Sequence, residues 1–253
     1  MHEKIKNYLS ELEKEKNIKI LLACETGSRA WGFPSQDSNF DVRIIYQHDK
    51  DWYLTLNERK DSIKHMYDNH EIDITGWDLR KCLHILIKSS PTLLEHTQSH
   101  LIYQADVDFM NDFNLLANTA YSPITTVFHH FSMAKNILED VRDKHEYKLK
   151  SFFYVLRSSI ACLWITQNKK MPPIDFRKML SGVKIKEPLN KRIYELIDLK
   201  STKNEDYIHS GEKELIEFFQ QQIAYISKNF KLFTHSKANI EECNRFFIKQ
   251  LNR

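Results

Sequence analysis

Polar residues that could bind a phosphate and a metal ion follow an apolar run at residues 18–24. Gly27-Ser28 comes soon after this run, where a glycine lets backbone N–H groups approach an anion and a serine adds a hydroxyl donor. Asn39 and Asp41 lie two positions apart at the start of the next apolar run, so in a strand they share one face. Neighbouring oxygen ligands of this kind are typical of sites for a hard cation such as Mg²⁺.

A further carboxylate, Asp73, lies in the segment HEIDITGW at 70–77, whose alternation predicts another strand. If that strand neighbours the one at 40–46, Asp73 shares a face with Asp41. Carboxylates on adjacent strands that face a phosphate-binding loop form a site for a metal–triphosphate complex. The alternative stays open, because GS dipeptides and paired acidic residues are also common in solvated turns and on hairpin surfaces.

The elements that would position these residues form an α/β pattern in the first part of the chain. Apolar residues at helical spacing predict a surface helix at 2–16. The two apolar runs predict strands, and the stretch between them predicts a loop. Segments 62–67 and 70–77 predict a β-hairpin, and Asp78 is the expected N-cap of the helix that follows.

Helical patterns dominate the rest of the chain. Ser90-Pro91 and Ser122-Pro123 are typical helix starts, and further helices are predicted near 149–167, 187–199, 211–229 and 236–251. We therefore expect an α+β fold. Its N-terminal domain, at 1–118, would hold a mixed β-sheet, and an all-helical domain would follow at 119–253.

The composition restricts the class of protein. The chain has 253 residues, 42% of them hydrophobic, and a formal net charge of +3, which does not by itself identify a nucleic-acid-binding protein. No apolar run approaches the ~20 residues that span a bilayer, and the charged N-terminus lacks the apolar centre of a signal peptide. The sequence therefore predicts a cytoplasmic protein with no membrane partner. Its four cysteines are far apart and are expected to be reduced thiols.

The order of these motifs resembles that of a known family. The strings GSRAWGF, S-x-x-S-N-x-D-V-R and EIDITGWDLRK are similar to those of a bacterial and phage family of predicted nucleotidyltransferases, within the DNA-polymerase-β-like superfamily. The stretch KLKSFFYVLR at 148–157 also resembles the helical second half of that family. The resemblance covers about residues 20 to 175 and implies that the N-terminal domain is palm-like.

The resemblance also implies a reaction. A hydroxyl group attacks the α-phosphorus of a nucleoside triphosphate such as ATP, pyrophosphate leaves, and two Mg²⁺ or Mn²⁺ ions assist. Asp41 would bridge both ions, and Asp73 would bind the catalytic ion and help to deprotonate the hydroxyl. Gly27 and Ser28 would hold the β- and γ-phosphates. Further candidates for nucleotide binding are Arg29, Ser38, Arg43 and Arg157.

The acceptor of the nucleotidyl group is open, because the superfamily acts on several classes of substrate. RNA is the first expectation, a protein side chain the second and a small molecule the third. A basic segment at 176–192 is expected to be a solvated face, with a groove for RNA as the alternative.

Asn39 departs from the family pattern, which has an aspartate at this position. An amide oxygen ligates Mg²⁺ more weakly than a carboxylate, so a second metal ion should be attracted less. Three explanations stay open: a substitution introduced to trap a substrate complex, a slow natural enzyme, or a relative that binds nucleotide without turnover. The undecayed motif favours the first. A catalytically inactive nucleotide- or RNA-binding module is therefore the alternative function.

Overall fold

The structure, a computed structural model, describes residues 1–253 and divides into two compact units. Neither unit is continuous in sequence: the first contains residues 1–30, 39–121 and 236–253, and the second contains residues 31–38 and 122–235. Two continuous domains, at 1–118 and 119–253, were expected. Instead, residues 31–38 belong to the second unit and residues 236–253 belong to the first.

Aromatic packing between segments that are distant in sequence accounts for both departures. In the first unit, Phe246 of the C-terminal segment has its ring centroid 5.7 Å from that of Phe109 and 5.9 Å from that of Phe113. In the second unit, Phe33 is buried, and its ring centroid lies 4.9 Å from that of Phe153. Such contacts are set by the tertiary fold, so local sequence patterns do not reveal them.

The first unit combines a sheet with helices. Its strands are β1 (Lys19–Glu25), β2 (Phe40–Gln47), β3 (Ser62–Tyr67), β4 (Ile72–Asp78) and β5 (Ile102–Ala105). Its helices are α1 (His2–Lys16), α2 (Gly27–Trp31, whose last residue belongs to the second unit), α3 (Lys50–Tyr53), α4 (Leu79–Ile87), α5 (Pro91–His96), α6 (Val107–Ala120) and α12 (Ile240–Leu251).

The sheet has the order β3-β4-β2-β1-β5, in which β2 and β4 are parallel and the other pairs are antiparallel. The predicted mixed sheet and β3–β4 hairpin are therefore confirmed. Asp78 accepts a hydrogen bond from the backbone N–H of Arg80 at 2.9 Å, which confirms the predicted cap. Strand β5 and the short helix α2 were not predicted, because both are short and carry no apolar periodicity.

Helix α1 covers one face of this sheet. Ile5, Leu9 and Leu12 are fully buried and pack in one cluster with Val42 and Ile44 of β2. Burial of a leucine or isoleucine side chain contributes roughly 1.5–3 kcal/mol. Since side chains alternate along a strand, this packing turns the neighbouring odd-numbered positions of β2 to the opposite face.

The second unit is helical apart from one two-stranded ribbon. Its elements are α7 (Pro123–Val141), β6 (Glu146–Lys148), α8 (Leu149–Asn168), α9 (Phe176–Ser181), α10 (Glu187–Ser201), β7 (Ile208–Ser210), α11 (Lys213–Asn229) and a 3₁₀ turn at Phe230–Leu232. The long helices agree with the prediction. Strands β6 and β7 pair antiparallel and were not predicted. No helix of the chain is long and apolar enough to cross a membrane.

Candidate active site

Asp41 and Asp73 meet on the face of the sheet opposite α1. They are register partners in the parallel β2–β4 pair, so the two side chains lie on the same face of adjacent strands. Their buried neighbours Val42 and Ile74 point to the other face, into the cluster formed with α1. The structure thus brings together the two carboxylates that the sequence had placed on one face.

Arg43 bridges the two carboxylates. Its Nη2 lies 3.2 Å from Oδ1 of Asp41 and 3.4 Å from Oδ2 of Asp73, and its Nη1 donates to the backbone carbonyl of Asp73 at 3.1 Å. Thr75 adds a hydrogen bond of 3.1 Å to Oδ1 of Asp73. One cation therefore faces two anions, which leaves a formal charge of −1 on this cluster. Arg43 was predicted as a phosphate contact, and in this structure it pairs with both carboxylates.

Gly27 forms the wall beside Asp41. Its φ angle is +63°, and a Cβ atom built at this position would lie 2.3 Å from Oδ2 of Asp41. No L-amino acid with a side chain fits there without displacing the carboxylate. The glycine of the GS motif therefore lets the backbone that precedes Ser28 approach the carboxylate closely, as a site for a metal–phosphate complex requires.

A third acidic residue, Glu25, is fully buried beneath this site. Its Oε1 accepts a hydrogen bond of 2.7 Å from the backbone N–H of Asp41, and its Oε2 accepts one from the hydroxyl of Tyr103. The carbonyl of Glu25 accepts a further hydrogen bond of 2.6 Å from Ser99. Burial raises the pKa of the Glu25 carboxyl, and the hydrogen bonds from Tyr103 and Asp41 oppose that increase. Glu25 thus fixes the backbone that carries Asp41.

Arg29 and Asn39 lie at the edge of the site. The Nε of Arg29 donates to the backbone carbonyl of Asn39 at 3.1 Å, and the guanidinium lies 3.8 Å from the centroid of the Phe40 ring. Asn39 precedes β2 by one residue and is half-buried. The strand alternation that would align it with Asp41 therefore begins only after this residue.

Ser38 and Arg157, also predicted to bind nucleotide, belong to the second unit. Ser38 is buried, and its hydroxyl accepts from the backbone N–H of Ser35 at 2.9 Å and donates to Glu205 at 3.0 Å. The Arg157 guanidinium is buried in helix α8, 4.3 Å from the centroid of the Trp31 ring. Within that unit both residues have structural contacts.

The donors at the site fit one divalent cation better than two. Asp41 and Asp73 supply carboxylate oxygens, and the amide oxygen of Asn39 is a neutral and weaker donor. No group of three or more His, Cys, Asp and Glu side chains in the chain is arranged to hold a metal ion.

Three residues of this site had no assigned role before the structure: Glu25, Thr75 and Tyr103. Glu25 ends the apolar strand KILLACE, and a charged residue at that position was a usable signal. Thr75 follows Asp73 by two positions and therefore shares its face. Tyr103 comes from the unpredicted strand β5, so nothing in the local sequence indicated it.

The match to a family model agrees with the resemblance. The model of the RlaP family, described as "RNA repair pathway DNA polymerase beta family", matches residues 1–249. The "Uncharacterized protein YcgL" of Bacillus subtilis (strain 168) is 34% identical over 250 residues, which cover 98% of this chain and 95% of that protein. A nucleotidyltransferase-like protein from Exiguobacterium sibiricum 255-15 matches at 9% identity, covers 98% of this chain and 80% of its own, and has a TM-score of 0.35.

Proposed function

The chain belongs to the RNA repair pathway DNA polymerase β family, a family of nucleotidyltransferases, and we propose that it transfers a nucleotidyl group from a nucleoside triphosphate to a hydroxyl group of RNA. The pairing of Asp41 with Asp73 beside the Gly27 wall is the observation that carries this proposal. The description of the family supports RNA as the acceptor over a protein or a small molecule.

In the proposed reaction, the hydroxyl oxygen forms a bond to the α-phosphorus while the bond from that phosphorus to the bridging oxygen breaks. Pyrophosphate leaves with the electron pair, and Asp73 accepts the hydroxyl proton. A Mg²⁺ or Mn²⁺ ion held by Asp41, Asp73 and Asn39 would stabilise the negative charge on the attacking and leaving oxygens. Gly27 and Ser28 would contact the β- and γ-phosphates.

Arg43 has a specific part in this proposal. Two carboxylates on adjacent strands repel each other, and this repulsion raises the free energy of the metal-free protein. The guanidinium group between Asp41 and Asp73 offsets the repulsion and keeps both side chains in position for a cation. This arrangement supports a site that is ordered before the metal–nucleotide complex binds.

A non-catalytic nucleotide- or RNA-binding module is the second candidate. Asn39 favours it, because the family pattern has a carboxylate at this position and the amide binds a second cation weakly. With Arg43 already compensating one of the two remaining charges, the attraction for a second divalent ion is weaker still.

A transfer assay separates the two candidates. The protein and its Asn39→Asp variant are incubated with each α-³²P-labelled nucleoside triphosphate, Mn²⁺ or Mg²⁺, and an RNA oligonucleotide with a free 3′-hydroxyl. We expect labelled RNA from both proteins, and at least about 10-fold more from Asn39→Asp, because an added carboxylate ligand strengthens metal binding. Asn57→Asp, an exposed position of the same unit, is the matched control and should leave the rate unchanged.

The label must also depend on the carboxylates. Asp41→Asn should abolish it, whereas Asp51→Asn, which changes an exposed aspartate of the same unit, should not. If Asn39→Asp binds nucleotide, as measured by calorimetry, yet labels neither RNA nor an added protein extract, the non-catalytic module is the better description.

A further inference from the structure

An exposed pair of stacked phenylalanines lies at one end of the second unit. The rings of Phe128 in α7 and Phe230 in the 3₁₀ turn are 4.1 Å apart and inclined by only 12°. Phe131 meets the ring of Phe230 edge-on at 5.0 Å, and Phe230 is half-buried. Phe128, however, is 45% exposed. The exposed part of its ring therefore lies on the side away from Phe230.

The chain around this pair carries no negative charge. No acidic residue occurs between Asp112 and Glu139, which spans most of α7, nor between Glu146 and Asp175, which spans α8. None occurs between Glu217 and Glu241, a stretch that contains the C-terminal part of α11 and the 3₁₀ turn. These three stretches of chain therefore offer no carboxylate that would bind a cationic ligand or repel an anionic one.

Lysines are exposed on the same segments. Lys228 and Lys231 flank Phe230 in sequence, and Lys169 ends α8 with its Nζ 5.2 Å from the centroid of the Phe233 ring. None of these lysines forms an ion pair within 4.0 Å. The negative end of the helix macrodipole explains why lysines occur at helix C-termini, but it does not explain a phenylalanine ring that is nearly half exposed.

The basic segment at 176–192 differs in this respect. Arg177 pairs with Asp198 at 2.7 Å, and Arg192 pairs with Glu212 at 2.6 Å. Two of the six cations of that segment therefore have a carboxylate partner within the protein.

We propose that the aromatic–lysine surface, defined by Phe128, Phe230, Lys169, Lys228 and Lys231, binds single-stranded RNA. Bases stack on an exposed aromatic ring regardless of their identity, while lysines contact the phosphates. The proposal rests on RNA being the acceptor under the proposed function, and it assigns to the second unit the part of the RNA that does not react. A single strand is specified because the bases of a duplex are already stacked.

Binding can be measured without turnover. The full-length Asp41→Asn variant is titrated, without nucleotide, into a labelled single-stranded RNA of about 12 nucleotides and into the corresponding duplex. Fluorescence anisotropy is recorded over a range of salt concentrations. An RNA of this length is within the reach of single-strand-binding surfaces. We expect tighter binding of the single strand. Phe128→Leu, which keeps an apolar side chain but removes the ring, should weaken that binding roughly 5- to 100-fold.

The lysines are tested by their salt dependence. Lys228→Ala with Lys231→Ala should lower the slope of log K against log salt by about 1.4, since each phosphate contact to a single strand contributes about 0.7. Lys213→Ala is the matched control, because Lys213 lies at the opposite end of α11 and its side chain is 89% exposed. It should leave the affinity within about twofold, because surface charges far from a contact are screened.

Equal RNA affinity of the parent, Phe128→Leu and the double lysine variant would overturn the proposal, and so would equal affinity for duplex and single strand. Sedimentation velocity examines the competing occupant, a second copy of this chain. Self-association that requires Phe128, with no effect of Phe128→Leu on RNA affinity, also overturns it. Because no transfer takes place in these measurements, failure of the proposed reaction in the labelling assay would be a separate result.

Discussion

Two ion clusters, one in each unit, each place an arginine between two carboxylates but differ in how closely the arginine holds them. In the first unit, Arg43 faces Asp41 and Asp73 at 3.2 and 3.4 Å, both longer than a strong charge-assisted hydrogen bond. In the second unit, Arg192 holds Glu212 through Nη2 at 2.6 Å and Nε at 3.1 Å, and His209 reaches the same carboxylate at 2.9 Å.

The two clusters also differ in how far solvent reaches their carboxylates. The Glu212 side chain is only 6% exposed, whereas those of Asp41 and Asp73 are 25% and 15% exposed and border a glycine. Both clusters place one arginine between two carboxylates, since Arg192 also pairs with Glu195 at 2.8 Å. Short contacts to a carboxylate that is closed to solvent stabilise the fold, whereas longer contacts to carboxylates that solvent reaches leave them able to bind a cation. Contact length and access to solvent together therefore separate a structural cluster from a candidate active site.

The largest expected effect on activity concerns the carboxylates of Asp41 and Asp73. Asp41→Asn and Asp73→Asn should each reduce nucleotidyl transfer on the order of 10³-fold, because each removes a metal ligand. The free energy of unfolding should change by less than about 1 kcal/mol, since the remaining carboxylate still pairs with Arg43. Labelled transfer and urea denaturation measure the two quantities. Retained activity in either variant would exclude the carboxylate pair as the reactive centre.

The second expected effect depends on the glycine wall. Gly27→Ala places a methyl group 2.3 Å from Oδ2 of Asp41, so the carboxylate must shift. A displacement on the order of 1 Å lowers activity about 10²-fold. Gly211→Ala is the control: Gly211 also has a positive φ, +92°, but nothing lies within 4 Å of the added atom.

Both glycine variants should lose about 1–3 kcal/mol of stability from backbone strain. Only Gly27→Ala should also lose transfer and metal affinity, the latter measured by titration with Mn²⁺. If the two variants lose activity equally, the effect of Gly27 is one of general stability and the wall has no specific function.

Much of this site followed from the sequence because its information is local. Period-two alternation assigns Asp41 and Asp73 to the faces they occupy, and the apolar stripe of α1 predicts which face of the sheet is covered. The partner of Arg43 was not predictable, because the choice between a phosphate and two carboxylates depends on the β2–β4 register. Tyr103 lies 78 positions from Glu25 in sequence, and only the sheet order joins them.

The composition of the units was not predictable for the same reason. Helix α12 was correctly expected as a helix, but its association with the first unit depends on Phe246 packing with Phe109 and Phe113. Periodicity identifies an apolar face and does not identify what that face covers.

A smaller effect is expected at Glu25, which positions Asp41 without facing the substrate. Glu25→Gln retains an oxygen that can accept from the Asp41 N–H but reverses the polarity of the Tyr103 contact. We expect kcat to fall about 10-fold, as is typical for residues that support a metal ligand. KM for the nucleotide should be unchanged, and Tyr103→Phe should have a weaker effect in the same direction. An increase in KM alone would instead indicate that Glu25 shapes the nucleotide pocket.

The smallest effect on activity is expected at Glu212 in the second unit. Glu212→Gln should leave kcat unchanged but lower the free energy of unfolding by about 2 kcal/mol, because a neutral amide replaces the buried carboxylate that accepts hydrogen bonds from Arg192 and His209. Although burial acts in the opposite direction, the hydrogen bonds from Arg192 and His209 lower the pKa of Glu212 below its ordinary value of 4.5.

The sign of the pH dependence follows from that lowered pKa. The unfolded chain binds the proton more readily, so the contribution of Glu212 is present above pH 4.5 and is lost as the pH falls through the folded pKa. Denaturation curves at pH 7 and at pH 3 should therefore separate the parent from Glu212→Gln clearly at pH 7 and less at pH 3. If Glu212→Gln reduces transfer as strongly as Asp41→Asn, contact length and access to solvent do not distinguish a structural cluster from a reactive one in this protein.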